Sequence, residues 1–253
     1  MLKSLITCST LFCCWSVLSA QTTIADDPAG PRHKVEFGLT GSIDYCNRYL
    51  VNTTGDDLVD RFIEIYNDED IASPGFSAGL ALKIPLTLKS RFITGLRFSR
   101  SGYQTKCFDN LQWPSENNNG QWAPNDSAAD ISIQYIYRSY YLDLPLLFQV
   151  FTNAEKHKLF FTGGFSTNFF LKETTTSIWT ENGDAEKTTV KNNGDYAFFN
   201  ITPEISFGQE ISLNKSTTLQ IGPTFRYGLF PLQDSPIGIH LWSIGLNASC
   251  YFH

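Results

Sequence analysis

The stretch Thr217-Thr218-Leu219-Gln220-Ile221-Gly222-Pro223-Thr224-Phe225-Arg226-Tyr227-Gly228-Leu229-Phe230 decides the fold. Its odd positions carry Leu219, Ile221, Pro223, Phe225, Tyr227 and Leu229, and its even positions carry Thr218, Gln220, Gly222, Thr224, Arg226 and Gly228. Alternation with a period of two marks a strand with two different faces, because successive side chains leave a strand on opposite sides.

The same pattern spreads in both directions. Across 239–252, Trp242, Ile244, Leu246, Ala248, Cys250 and Phe252 alternate with Ser243, Gly245, Asn247, Ser249 and Tyr251. Across 196–213, Phe199, Ile201, Ile205, Phe207, Ile211 and Leu213 alternate with Asn200, Thr202, Glu204, Ser206, Gly208, Glu210 and Ser212. Similar patterns mark 34–46, 74–86, 91–104, 132–151 and 158–172, so eight strands are expected. The connections between them run 27, 4, 27, 6, 23, 3 and 8 residues. Long and short links alternate, as in a meander whose two ends face different surroundings. The expected fold is an eight-stranded antiparallel up-and-down transmembrane β-barrel with short periplasmic turns and long extracellular loops.

Face chemistry bears on the orientation. A soluble lipocalin-type barrel would hold its apolar face inside, around a hydrophobic ligand, and show water a surface rich in Lys and Glu. The polar face here is mostly Gly, Ser, Thr and Asn, which suits a narrow lumen, while Tyr, Trp and Phe gather near strand ends on the other face.

Composition agrees. The 253 residues are 14% aromatic and only 17% charged, with 19 Lys+Arg against 25 Asp+Glu. That acidity argues against a nucleic-acid partner, and the low charge argues against disorder. Residues 1–20 read as a cleaved secretory signal peptide, with Lys3 followed by the apolar run Leu5 to Leu18. Residues 21–32, with Asp26, Asp27, Pro28, Gly30 and Pro31, read as a flexible lead-in to a barrel domain spanning 33–253. The expected location is the outer membrane, with outer-membrane lipid as the surrounding partner and the barrel as a monomer.

The stretch Tyr140-Tyr141-Leu142-Asp143-Leu144-Pro145-Leu146-Leu147-Phe148, the segments Phe161-Thr162-Gly163-Gly164-Phe165 and Pro203-Glu204-Ile205-Ser206-Phe207-Gly208, and the aromatic last strand carry a family likeness. Through them the chain resembles the outer-membrane β-barrel domain family common in Bacteroidetes and called PorT-like. The resemblance implies a barrel over roughly His33 to the end, and a link to secretion or gliding machinery.

If the polar parity faces inward, Glu36, Asp44, Lys83, Arg97, Asp143, Glu204, Glu210 and Arg226 lie in the lumen. Counting outward from the short turn after Leu213 sets Leu213 opposite Thr217 and Glu204 opposite Arg226, a cross-strand ion pair. Arg97 and Asp143 are expected at similar heights on adjacent strands. A plug that neutralises a narrow interior is the favoured role, against an ion path or gate.

The long connections hold 17 of the acidic residues and five basic ones. No twelve-residue calcium loop appears among them, so a solvated acidic surface is expected, without cofactor or metal. Asp56 to Tyr66 could form an amphipathic helix through Leu58, Phe62 and Ile65 or extend a strand. Trp113, Trp122 and Trp179 suit contact with a protein or glycan partner, and equally packing of the loops on themselves. Cys46 and Cys107 sit on the outer side, where an oxidising compartment permits a disulfide; Cys250 is expected to face lipid. Of the four histidines only His240 falls near the outer rim, beside Asp234 and Ser235. A lipid-modifying enzyme centred on it is the alternative to a non-enzymatic structural or interaction role.

Overall fold

The computed structural model describes residues 35–109, 111, 115–116, 122–123, 131–152 and 158–252. The expected signal peptide and lead-in, together with Trp113 and the side chain of Trp122, lie outside the described residues. The barrel unit is Lys34–His253.

In chain order the strands are β1 (Glu36–Asn52), β2 (Asp70–Pro85), β3 (Ser90–Thr105), β4 (Ser115–Glu116), β5 (Trp122–Ala123), β6 (Ile131–Phe151), β7 (Lys158–Glu181), β8 (Asp184–Asn192), β9 (Phe199–Asn214), β10 (Thr217–Tyr227) and β11 (Ile237–Phe252), and a helix α1 (Asp57–Glu69) precedes β2. Eight long strands pair in the order β6-β3-β2-β1-β11-β10-β9-β7, and β6 pairs with β7 to close the ring. All these pairings are antiparallel. Ring closure leaves no barrel strand with an open edge, as a hydrocarbon surrounding requires. β4 and β5 pair only with each other.

Burial settles which face points inward. Phe37, Ile43, Leu80 and Phe207 are 63 to 71% exposed on the outside, whereas Lys83 and Ser166 are fully buried. The barrel is apolar out and polar in, the inverse of a soluble ligand carrier, so the lipocalin-type alternative fails. Among the described residues no helix is long and apolar enough to cross a membrane.

Two details differ from expectation, the first and third below, and two concern points that the sequence leaves open. First, β7 continues past its expected end at 172 to Glu181, so that it and β6, which keeps nearly its expected span, run 24 and 21 residues, well beyond the roughly 9–11 a strand needs to cross. The excess continues outward as a ribbon, and β7 turns at Asn182-Gly183 into β8, where a loop was expected. Asn182 and Gly183 have φ of 51° and 89°, the positive pair a tight two-residue hairpin needs. Thr, Ser and charged residues on both faces hide this hairpin from periodicity.

Second, Asp56 to Tyr66 forms helix rather than strand. Asp56 caps α1 by accepting a hydrogen bond from the Leu58 backbone N–H at 2.9 Å, and Asp57 and Asp60 sit favourably in the first turn.

Third, Leu213 does not face Thr217. Asn214 does, because the turn is only Lys215-Ser216, and the register shifts between Thr217 and Thr218. The Asn214 side chain accepts from Ser216 N at 2.8 Å, which tightens the turn and leaves Leu213 as the extra residue. Beyond that shift Glu204 pairs with Arg226.

Fourth, Cys46 and Cys107 are free thiols. Cys46 is buried on the lumen parity opposite Ser73 and Ser243, whereas Cys107 is exposed past the end of β3. Cys46 approaches Ser101, six positions before Cys107 and so roughly 20 Å below it at ~3.3 Å per residue. That exceeds the reach of a disulfide.

Candidate functional site: the charged lumen and the outer mouth

All eight charged residues expected in the lumen sit at inward parity, in layers. At the end holding the short turns, the Lys83 ammonium meets the Glu36 carboxylate and lies 3.4 Å from Glu210. Arg91 reaches the same Glu210 oxygen at 2.9 Å, and the Gln220 side chain donates to it at 2.7 Å. Lys83 also stands 4.1 Å over the Tyr251 ring. This layer gathers β1, β2, β3, β9, β10 and β11 around the Lys83 ammonium and the Glu210 carboxylate.

The middle layer is a chain of ions. Arg97 holds Glu204 in a two-pronged contact at 2.7 and 3.1 Å, and Ser166 accepts a further Arg97 N–H at 2.8 Å. Arg226 Nε lies 3.3 Å from Glu204, while its Nη1 donates to both oxygens of Asp44 at 3.1 Å. Arg97 and Asp143 are register partners, yet Arg97 turns across the lumen to Glu204, and Asp143 instead accepts from Asn168 at 2.7 Å. A Cβ on Gly245 would collide with Asp44 Oδ1, so only glycine leaves room for this layer. Small cavities of about 60 and 40 Å³ flank the layer, space for water and not for a passing solute.

Above it the lumen parity changes character. Arg48 holds Asp70 at 2.5 and 2.9 Å and lies 3.9 Å over the Tyr103 ring, which stacks on Tyr137 at 4.6 Å. From there outward, Tyr135, Tyr137, Phe108, Ile237 and Ile239 line a mouth cavity of about 680 Å³. Val59, Phe62, Ile65 and Tyr66 of α1 form its far wall, and Glu69 stands beside them. This vestibule was not expected. Its sequence signal is the run of inward-parity apolar residues Ile131, Ile133, Tyr135, Tyr137 on β6 and Ile237, Ile239 on β11, where deeper positions include Ser139, Asp143, Ser243 and Asn247.

Beside the mouth the ribbon carries its own polar cluster. Ser139 and Asn192 donate to Glu173 at 2.9 and 2.8 Å, and the Tyr196 hydroxyl donates to it at 3.0 Å. Burial, reinforced by the Glu173 carboxylate, pushes the Tyr196 phenol up to about 12, so that donor keeps its proton into strongly alkaline solution. Trp179 lies in β7 opposite Ile133 and Glu186, inside the ribbon.

His240 stacks on Tyr227 with ring centroids 5.9 Å apart, and its Nδ1 lies 3.0 Å from the Gly228 carbonyl. The Ser235 hydroxyl donates to the Ile237 carbonyl, not to His240. Cys250 is half-buried on the outward parity. Among the described residues no group of His, Cys, Asp and Glu is arranged to hold a metal ion.

Among curated proteins none matches this sequence. Several solved structures are similar to it at low identity. Ail, the attachment invasion locus protein of Yersinia pestis, solved with the heparin analogue sucrose octasulfate, is 9% identical with a TM-score of 0.31, over 85% of this chain and 99% of that one. Neisserial surface protein A is 10% identical with a TM-score of 0.33, over 85% and 97%. The outer membrane protease OmpT from Escherichia coli is 8% identical with a TM-score of 0.34, over 86% and 95%. Likeness this distant carries no inference about ligand or activity. Residues 20–235, by contrast, match a family described as the outer membrane protein beta-barrel domain, and the match covers most of the barrel. The chain therefore belongs to the outer membrane protein beta-barrel domain family.

Proposed function

We propose that this barrel is a non-enzymatic outer-membrane protein that works at its extracellular face, in a structural or interaction role. The observation that carries this reading is the filled lumen. Two layers of buried ion pairs, centred on Glu210 and on Glu204, cross the interior between cavities too small for a solute. The outer end, by contrast, is built up: a helix, a three-stranded ribbon and an open vestibule stand there. The resemblance to PorT-like barrels makes service to a secretion or adhesion apparatus the finer form of the reading, with a protein or glycan partner at the loops. An enzyme at the rim finds little support, since the Ser235 hydroxyl is engaged by a carbonyl and His240 is stacked.

The test is solute uptake by proteoliposomes. Vesicles carrying the protein should swell in arabinose no faster than empty ones, and rapid swelling would make the barrel a transporter.

A further inference from the structure

Helix α1 is amphipathic, yet none of its residues is buried. An apolar stripe on a helix is normally paired with something, since leaving Phe or Ile in water forfeits the gain from burying them. Phe62, Ile65 and Tyr66 are instead exposed, and with Val59 they face inward-parity Tyr135, Tyr137, Ile237 and Ile239 across an open space. The void of about 680 Å³ lies within the size range of small-molecule sites.

Charge selects the occupant. Arg48 and Asp70, on the cavity floor, neutralise each other. The remaining charged lining residue is Glu69, and α1 adds Asp57, Asp60, Glu64 and Asp68 against Arg61 and against Lys106, whose ammonium donates to the Asp68 carbonyl. Tyr135 borders the same space and supplies a ring face suited to a cation, whereas Tyr66 already lies under Arg48 and Tyr137 stacks on Tyr103. We infer that the vestibule binds a small cationic amphiphile, an aromatic or aliphatic body between α1 and the barrel rim with its ammonium group at Glu69. The inference rests on the reading that the protein acts at its outer face, and names a ligand class there.

The full-length protein in phosphatidylcholine nanodiscs is titrated calorimetrically with 1-naphthylmethylammonium and, separately, with 1-naphthylacetate, against empty nanodiscs. The cation should bind saturably at one site and at least tenfold tighter than the anion. Phe62→Ser should weaken it about tenfold through lost apolar contact. Glu69→Gln should weaken it about two- to fivefold, as an exposed ion pair would. Both positions lie on a helix with no buried residue, and the heat-dependent gel shift of each variant verifies that its barrel is intact. Equal or tighter binding of the anion, no saturable binding of the cation, or binding indifferent to Phe62→Ser would overturn the inference. A silent vestibule in a barrel that also fails to swell in arabinose leaves the outer-face reading standing, whereas swelling removes that reading whatever the calorimetry gives.

Discussion

Arg226 of β10 faces Glu204 of β9 in the strand register and also reaches Asp44 of β1 across the lumen. One guanidinium thus ties strands that are not all neighbours, and with Arg97 it encloses Glu204 between two cations. Removing one partner of a buried ion pair strands the others in a low-dielectric interior, at a cost of about 3–5 kcal/mol. Glu204→Ala should therefore lower barrel stability by roughly that amount, measured as the urea midpoint of the heat-dependent gel shift in detergent. In the Glu204→Ala/Arg226→Met double variant the second change should cost much less than it does alone. Simple additivity of the two losses would show that the pair is not coupled.

Gly245 offers a second probe of the same layer, from the backbone side. Gly245→Val places side-chain atoms where Asp44 now stands, forcing the carboxylate off Arg226. Overpacking of this kind typically costs about 1–3 kcal/mol. Gly55→Ala, in a loop with nothing near its missing Cβ, should be milder, its only cost being the backbone conformation. Equal loss of stability in the two variants contradicts the crowding argument.

Breaking the Asn182-Gly183 turn should loosen the projecting hairpin without opening the barrel. An Asn182→Ala/Gly183→Ala variant puts residues with a Cβ at two positive-φ positions, the second of which only glycine adopts easily. Faster proteolysis between Thr175 and Val190, with an unchanged heat-dependent gel shift, is the expected outcome. If the hairpin stays as resistant as in the wild type, the turn does not hold it.

The two outer-side cysteines give a labelling contrast. A membrane-impermeant maleimide added to whole cells should modify Cys107, which is exposed, and spare Cys46, which is buried in the lumen. Reducing and non-reducing gels should match. A mobility change abolished by either Cys→Ser substitution would mean that a disulfide forms after all.

His240→Ala should leave the outer-membrane lipid profile as it is, since the ring is engaged by stacking and a carbonyl. Loss of a modified lipid species in the variant would instead favour the enzyme.

Much of this architecture is legible from period two alone. The alternation in 217–230 and its echoes place the eight barrel strands and put Glu36, Asp44, Lys83, Arg97, Asp143, Glu204, Glu210 and Arg226 on one face. Which charge meets which is less legible. Register brings Arg97 opposite Asp143, but a side chain as long as arginine can cross a narrow lumen, and Glu204 offers it two oxygens. The Leu213 bulge is invisible because one extra residue at a strand end barely disturbs the alternation. Helix α1 was ambiguous for a physical reason: thirteen residues with a few spaced apolar positions fit either period. The vestibule is not legible because inward parity at Tyr135, Tyr137, Ile237 and Ile239 does not carry polar chemistry.

The apolar face meets lipid around a closed ring whose interior is filled. The most direct measurement is gel migration, boiled against unboiled, of the protein taken from an outer-membrane fraction. A closed barrel predicts that unboiled protein from that fraction migrates differently from boiled protein. Recovery in the soluble periplasm, with identical migration in both samples, would contradict the account.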